Sequence, residues 1–151
     1  VRTDLKAQLG VRLMCRGDLP HVCAIERAET ARPWLEADFL HHLRRIDSSE
    51  CCSVLLRGVV VGYMVYEVRP EALSLVRLAV HPAYRRRGIG SHLVDRLFVR
   101  CGTHRRSRIA VVVHEEHLSA QQFLRACGFL AVEFEREYRV GVNVIRFEGR
   151  A

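Results

Sequence analysis

Lysine is almost missing from this chain: Lys6 is the only one, so all but one of the 24 basic side chains are arginines. Proline occurs at four positions and glycine at ten, too few for a collagen-like or low-complexity chain. No apolar run approaches the ~20 residues that a membrane span needs. The opening Val1-Arg2-Thr3-Asp4 has none of the apolar core of a secretory signal. The expectation is a single cytoplasmic domain over residues 1–151, with no membrane partner. Six cysteines (15, 23, 51, 52, 101 and 127) form no C-x-x-C pair and stand at no zinc-ligand spacing from the eight histidines. They read as free thiols in a reducing compartment, and no metal is expected.

What the chain does have is apolar mass, at 49% of 151 residues. A chain near that length buries roughly two-thirds of its unfolded surface, so it needs no disulfide staples. The formal net charge of +7 is harder to interpret. An arginine excess over lysine is what GC-rich codon usage produces. Yet the guanidinium fork also suits phosphate and carboxylate, donating two parallel hydrogen bonds to either. Nucleic acid, an acidic partner and a phosphorylated cofactor all stay open on charge alone.

Periodicity gives the order of elements. Val11 to Met14 alternates as a strand. Asp18 stands where a helix cap belongs, ahead of a helix running to about Ala28 with Pro20 in its first turn. Arg32-Pro33 breaks the chain before an amphipathic helix from Trp34 to Arg45. Ser53–Leu56 and Val59–Val68 read as a hairpin around Arg57-Gly58, and Leu73–Val80 as a strand closed by His81-Pro82. Gly88 to Cys101 has helical spacing, Arg108 to Val113 is a buried strand, and Leu118 to Cys127 a helix ended by Gly128. Phe129–Phe134 and Val140–Phe147 close the chain as paired strands. The prediction is one mixed α/β (α+β) domain, its sheet mostly antiparallel and flanked by about four helices.

Chemistry concentrates in Leu78-Ala79-Val80-His81-Pro82-Ala83-Tyr84-Arg85-Arg86-Arg87-Gly88-Ile89-Gly90-Ser91. A strand stops at proline, the chain turns through a basic loop, and two glycines open a helix. Amides at a helix N-terminus, at the positive end of its dipole, form an anion site. Gly88 and Gly90 are expected to let a ligand approach the backbone. The reading is therefore phosphate or pyrophosphate binding. Two rival motifs fail: no lysine follows Gly90, as the nucleotide-triphosphatase loop requires, and Gly88-Ile89-Gly90 lacks the third glycine of a dinucleotide site.

Arg85, Gly88 and Gly90, set as R-x-x-G-x-G after Leu78-Ala79-Val80-His81-Pro82, resemble the acyl-coenzyme A signature of the GNAT acetyltransferase superfamily. The resemblance runs from about Val11 to Phe147 and includes Cys127-Gly128-Phe129. Asp18-Leu19-Pro20, Ile25-Glu26, Pro33-Trp34 and Phe39-Leu40 are similar to the RimI-type branch, which acetylates protein N-termini. The resemblance implies that acetyl-CoA is the cofactor. It places the pyrophosphate on the amides of Arg86 to Ser91, including Arg87 and Ile89. It places pantetheine along Leu78-Ala79-Val80, where that strand would splay from Arg108–Val113. Pro33, Trp34 and the turn near Tyr138 would flank the amine groove.

The proton-handling residues depart from that pattern. The family's glutamate, asparagine and tyrosine fall on Val112, His117 and Leu124, and a second strand position for a base falls on Ser74. His114, two residues past Val112, lies on the same side of its strand and has a near-neutral intrinsic pKa suited to a base or water relay. Tyr138 is the candidate donor to a departing thiolate, His117 a candidate cofactor contact, and Glu115 and Glu116 read as solvent-facing. Cys127 precedes a helix-ending glycine and reads as core. The leading expectation is direct acetyl transfer to a primary amine, a protein N-terminus first, with a small amine or lysine side chain behind it. The alternative is a GNAT-fold sensor that keeps acyl-CoA affinity with impaired catalysis. Nucleic acid is disfavoured, since no basic stripe interleaved with aromatics is present. Monomer and homodimer both stay open.

Overall fold

Alternation of apolar and polar side chains builds one continuous seven-stranded sheet, and helices cover the apolar rows on its two faces. The computed structural model describes residues 2–137 and 142–150. A helix α1 (Arg2–Gln8) leads into β1 (Leu9–Leu13), followed by α2 (Leu19–Glu29) and α3 (Glu36–Arg44). Then come β2 (Ser49–Leu56), β3 (Val59–Val68), β4 (Leu73–Val80), α4 (Ile89–Thr103), β5 (Arg108–His114), α5 (Leu118–Ala126), β6 (Leu130–Glu137) and β7 (Val142–Arg150). The strand order is β1-β2-β3-β4-β5-β7-β6. Neighbours run antiparallel except β4 and β5, which are parallel and joined by α4.

Local chemistry accounts for most boundaries. The β2–β3 turn holds Arg57 at φ 52° and Gly58 at φ 80°, the two left-handed residues of the tight hairpin that follows strand twist. Helix α3 begins at Glu36 rather than Trp34, because the Leu35 N–H donates to the Asp38 carboxylate at 2.8 Å and caps the helix there. Trp34 is thereby left in the connecting loop. The sequence reading expects about four helices; the described residues contain five, α1 being the addition. Its seven residues carry too short a pattern to read, and Leu5 packing against the core is what holds it.

One face of the sheet packs on α4 and α5 through Leu93, Leu97, Leu124, Ile109, Val111 and Phe147. The other packs on α2 and α3 through Val22, Ile25, Phe39, Tyr63 and Val65. The α2–α3 layer reaches β2, β3 and β4. On β5 the same face is open, with Val112 58% exposed. All six cysteines are free thiols, and burial pushes Cys51 up to about 12 and Cys52 up to about 11. No helix of the described residues is long and apolar enough to cross a membrane.

Asp18 corrects one expectation. It stands at the head of α2 but makes no side-chain cap there. Its carboxylate instead accepts from both Arg12 terminal nitrogens (2.6 and 2.8 Å), the Cys15 N–H (3.0 Å) and the Ser53 hydroxyl (2.9 Å), tying β1 and β2 to the turn before α2. The Arg12 hydrogen bonds hold its carboxyl well below the usual carboxylate range. A depressed carboxylate stabilises the fold above its unfolded pKa near 4, and that stabilisation is lost as pH falls towards the folded value. Asp18→Asn should therefore cost about 1–3 kcal/mol at neutral pH. Urea unfolding should show the gap from the parent closing below pH 4; a constant gap would refute the assignment.

Candidate active site

The sheet opens beside its parallel pair, β4 and β5. β4 and β5 are paired at Leu73–Ile109, Ser74–Ala110 and Leu75–Val111 and no further, although β4 runs on to Val80 and β5 to His114. The parting starts at a bulge: Leu75 opposes Tyr66 and Arg77 opposes Val65, which leaves Val76 as the extra residue. A bulge bends and twists its strand. From Val76 onward the β5-facing edge of β4 therefore offers backbone N–H and C=O groups with no strand across from them. Buried backbone groups need partners, so this edge can pair with an extended ligand that carries amides.

The loop after β4 leads to the same opening. Pro82–Tyr84 make one 3-10 turn, with the Ala83 N–H donating to His81 Nδ1 at 3.1 Å. Arg86 (φ 61°) and Gly88 (φ 82°) are both left-handed, and α4 begins at Ile89. The first-turn amides of Ile89, Gly90 and Ser91 lack intrahelical acceptors and stand at the positive end of a long helix.

The two glycines have different jobs. A Cβ on Gly88 would meet nothing within 4 Å, so its requirement is conformational. A Cβ on Gly90 would lie 3.2 Å from Phe123 Cζ, so the missing side chain there serves the packing of α4 on α5. Packing against Phe123 is thus a reason for glycine at position 90 that lies in the fold itself. The arginines separate as well. Arg85 reaches away to Glu29 (2.5 Å) and to the Val80 carbonyl (3.3 Å), fastening the loop to α2. Arg87 lies over the Tyr84 ring at 5.5 Å, and Arg86 and Arg87 are exposed.

Other expected residues fall around this opening. Leu78 and Val80 pack towards α4 and α5, and Ala79 towards α2. Ile89 is buried beneath the helix start, and Ser91 is exposed on its first turn. His114 is exposed at the end of β5 on the open face with Val112. Its carbonyl accepts from the Gln121 amide at 3.2 Å and the His117 N–H at 3.0 Å. His117 is exposed immediately before α5. Leu124 is core, and Ser74 lies in the paired part of β4. Neither Val112 nor Leu124 has a polar atom in its side chain. Tyr138 lies outside the described residues. Cys127 is half-buried against the core, and burial raises its thiol, which suits packing rather than nucleophilic attack. Among the described residues no group of three His, Cys, Asp or Glu could hold a metal ion.

Sequence reasoning missed the group beside Trp34. Glu26 of α2 is 1% exposed, yet its carboxylate accepts from the Tyr63 hydroxyl (2.5 Å) and the Trp34 N–H (2.8 Å) and lies 3.2 Å from an Arg77 nitrogen. Burial, with Glu26 as partner, pushes the Tyr63 phenol well up, so it stays a neutral donor. Trp34 stacks on His42 (4.9 Å, 11°), contacts Phe39 edge-on, and lies under the Arg77 guanidinium at 4.8 Å. A readable signal existed: Glu26 sits four residues after Val22, on the buried stripe of α2, where a lone carboxylate needs partners. Arg77 gave no such signal, because the bulge alone turns it to this face.

The Acetyltransferase (GNAT) family model matches residues 19–129, which hold α2 through α5, the bulge and the loop before α4. The chain belongs to the GNAT family of acetyltransferases. A Bacillus subtilis (strain 168) protein provisionally named a ribosomal protein bS18-alanine N-acetyltransferase is 22% identical over 134 residues, 89% of each chain. The solved Escherichia coli ribosomal-protein-S18-alanine N-acetyltransferase superposes with TM-score 0.81 at 20% identity, covering 94% of this chain and 93% of that one. A GNAT family acetyltransferase from Elizabethkingia anophelis, solved with acetyl-CoA bound, does so at 0.77 and 10% identity over 95% and 99%. At these identities the likeness to solved structures shows the fold alone.

Proposed function

We propose that this GNAT chain transfers acetyl from acetyl-CoA directly to a primary amine, most specifically the α-amine of a protein N-terminus. The observation that carries the reading is the parting of β4 from β5 at Val76, next to the N-terminus of α4. An open strand edge suits the two amides of pantetheine, and the left-handed Gly88 with the amides of Ile89 to Ser91 suits a pyrophosphate. The cofactor would supply the acetyl group as an activated thioester. Residues of the chain do the rest. Arg86 and Arg87 add positive charge around the phosphates, Pro33 and Trp34 wall the acceptor side, and His117 hydrogen-bonds the cofactor. His114 takes a proton from the acceptor amine, directly or through water, so that its nitrogen can form the amide as the carbon–sulfur bond breaks. Tyr138 returns a proton to the departing sulfur.

Acetyl-CoA and desulfo-CoA, each at about 100 times its Kd, should stabilise the protein by about 2.7 kcal/mol. For a chain of this size that corresponds to a rise of roughly 5–10 °C in Tm. No shift with either ligand would overturn the reading. Coenzyme A release with N-terminal peptides, lysine peptides and polyamines then identifies the acceptor. Apolar Val112 and Leu124 favour one rival, an acyl-CoA sensor of the same fold. A full thermal shift without turnover on any acceptor would select it.

A further inference from the structure

Arg77 is a half-buried cation with hydrogen-bonding capacity left over. Its Nε is buried with no hydrogen-bond partner, and its contact with Glu26 is a single ion contact at 3.2 Å rather than a two-bonded fork. That carboxylate is already shared by the Tyr63 hydroxyl and the Trp34 N–H. The side chain as a whole is 31% exposed, and its guanidinium lies over Trp34. A planar fork with unused donors, one of them already dehydrated, is poised to bind a carboxylate, because the cost of desolvating that donor is relieved when an acceptor arrives. Its position is set by the bulge. Leu73 and Leu75 face α4 and α5, and strict alternation would send Arg77 the same way. The extra Val76 reverses the parity, so that Arg77 joins Glu26 and Trp34 on the face where β5 is open. Arg77 therefore stands at the parting of β4 from β5 and against the loop of Pro33 and Trp34.

We infer that Arg77 is a specificity-determining residue that selects acceptors carrying a carboxylate within a few bonds of the reacting amine, such as a polypeptide beginning with Asp or Glu. The inference rests on the acetyltransferase reading above for the location of the amine. A carboxylate deep in a long peptide could not satisfy it, since Arg77 lies beside the point where the strands separate. A free α-amino acid offers the same chemistry, and the two sources can be told apart directly.

Trp34 is the only tryptophan and lies against Arg77, so its fluorescence reports on this groove without turnover. Amidated hexapeptides beginning with Asp, Glu or Ala, and free aspartate and glycine, are titrated against the full chain with desulfo-CoA present. The parent should bind the Asp or Glu peptide at least tenfold more tightly than the Ala peptide. Arg77→Gln should erase that preference, Arg77→Lys should keep part of it, and added salt should weaken it. Tight binding of free aspartate with no discrimination among peptides would assign the site to amino acids. Equal affinities throughout in the parent, or a preference that survives in folded Arg77→Gln, would overturn the inference. Should Arg77→Gln not fold, the parent's preference and its loss in Arg77→Lys at high salt decide the matter. The thermal shift with acetyl-CoA on the same samples keeps the two readings separate. A shift without carboxylate preference removes only the Arg77 assignment, and no shift removes the acetyltransferase reading.

Discussion

Gly88→Glu should weaken acetyl-CoA binding at least 100-fold and abolish the ligand-induced rise in Tm. Two effects combine at this position. The residue has φ 82° at the head of α4, a conformation costing an ordinary L-residue roughly 1–2 kcal/mol. The new carboxylate would also stand where the helix dipole and first-turn amides favour an anion, and would repel the phosphates from there. Gly88→Asn separates the two, because asparagine tolerates the left-handed region and adds no charge. It should bind within about tenfold of the parent, a difference of ~1.4 kcal/mol. Titration calorimetry of the three proteins makes the comparison. Equal affinity of the Glu variant and the parent would move the cofactor site away from α4.

Glu26→Ala should be among the most damaging single substitutions in the chain. The side chain is 1% exposed, accepts hydrogen bonds from Tyr63 and Trp34, and makes an ion contact with Arg77. Removing it leaves the buried Tyr63 hydroxyl without its acceptor and the half-buried Arg77 without its counter-charge. Breaking such a group on one side costs about 3–5 kcal/mol. In a domain of this size the loss lowers Tm by roughly 10 °C or more. Trp34 emission should move to the red as the loop between α2 and α3 loses its anchor. Glu26→Gln keeps an oxygen acceptor and should fall between the two. Chemical denaturation giving Glu26→Ala within 1 kcal/mol of the parent would show that the contacts around Glu26 do not hold that loop.

The contrast between Gly88 and Glu26 shows what local pattern can and cannot reveal. The loop before α4 is legible because its determinants are neighbours in the chain: a strand end, a proline, a left-handed glycine and a helix start all lie within Leu78–Ser91. Element types were equally accessible, but strand ends were less so: β2 starts at Ser49 rather than Ser53, and alternation in β4 breaks at Val76. The packing role of Gly90 was not legible, because the contact comes from Phe123, in a helix distant in sequence. Asp18 misled for a similar reason: its position suits a cap, but Arg12 and Ser53 offered it stronger charged and buried partners. Arg85 sits in the signature and points away from it, towards Glu29.

By itself the sequence determined the mixed α/β class, the order of strands and helices beyond α1, the free thiols and the glycine turn that opens α4. Each depends on periodicity, backbone conformation or residue chemistry that acts within a few residues. Only the tertiary structure decided where β4 leaves β5, and that Val76 is the residue left over. It also decided that the arginine after that bulge meets Glu26 and lies over Trp34. The reason is parity: a single inserted residue reverses the face of every side chain beyond it. Whether a strand carries that insertion depends on what its partner strand opposes, not on the residues alone.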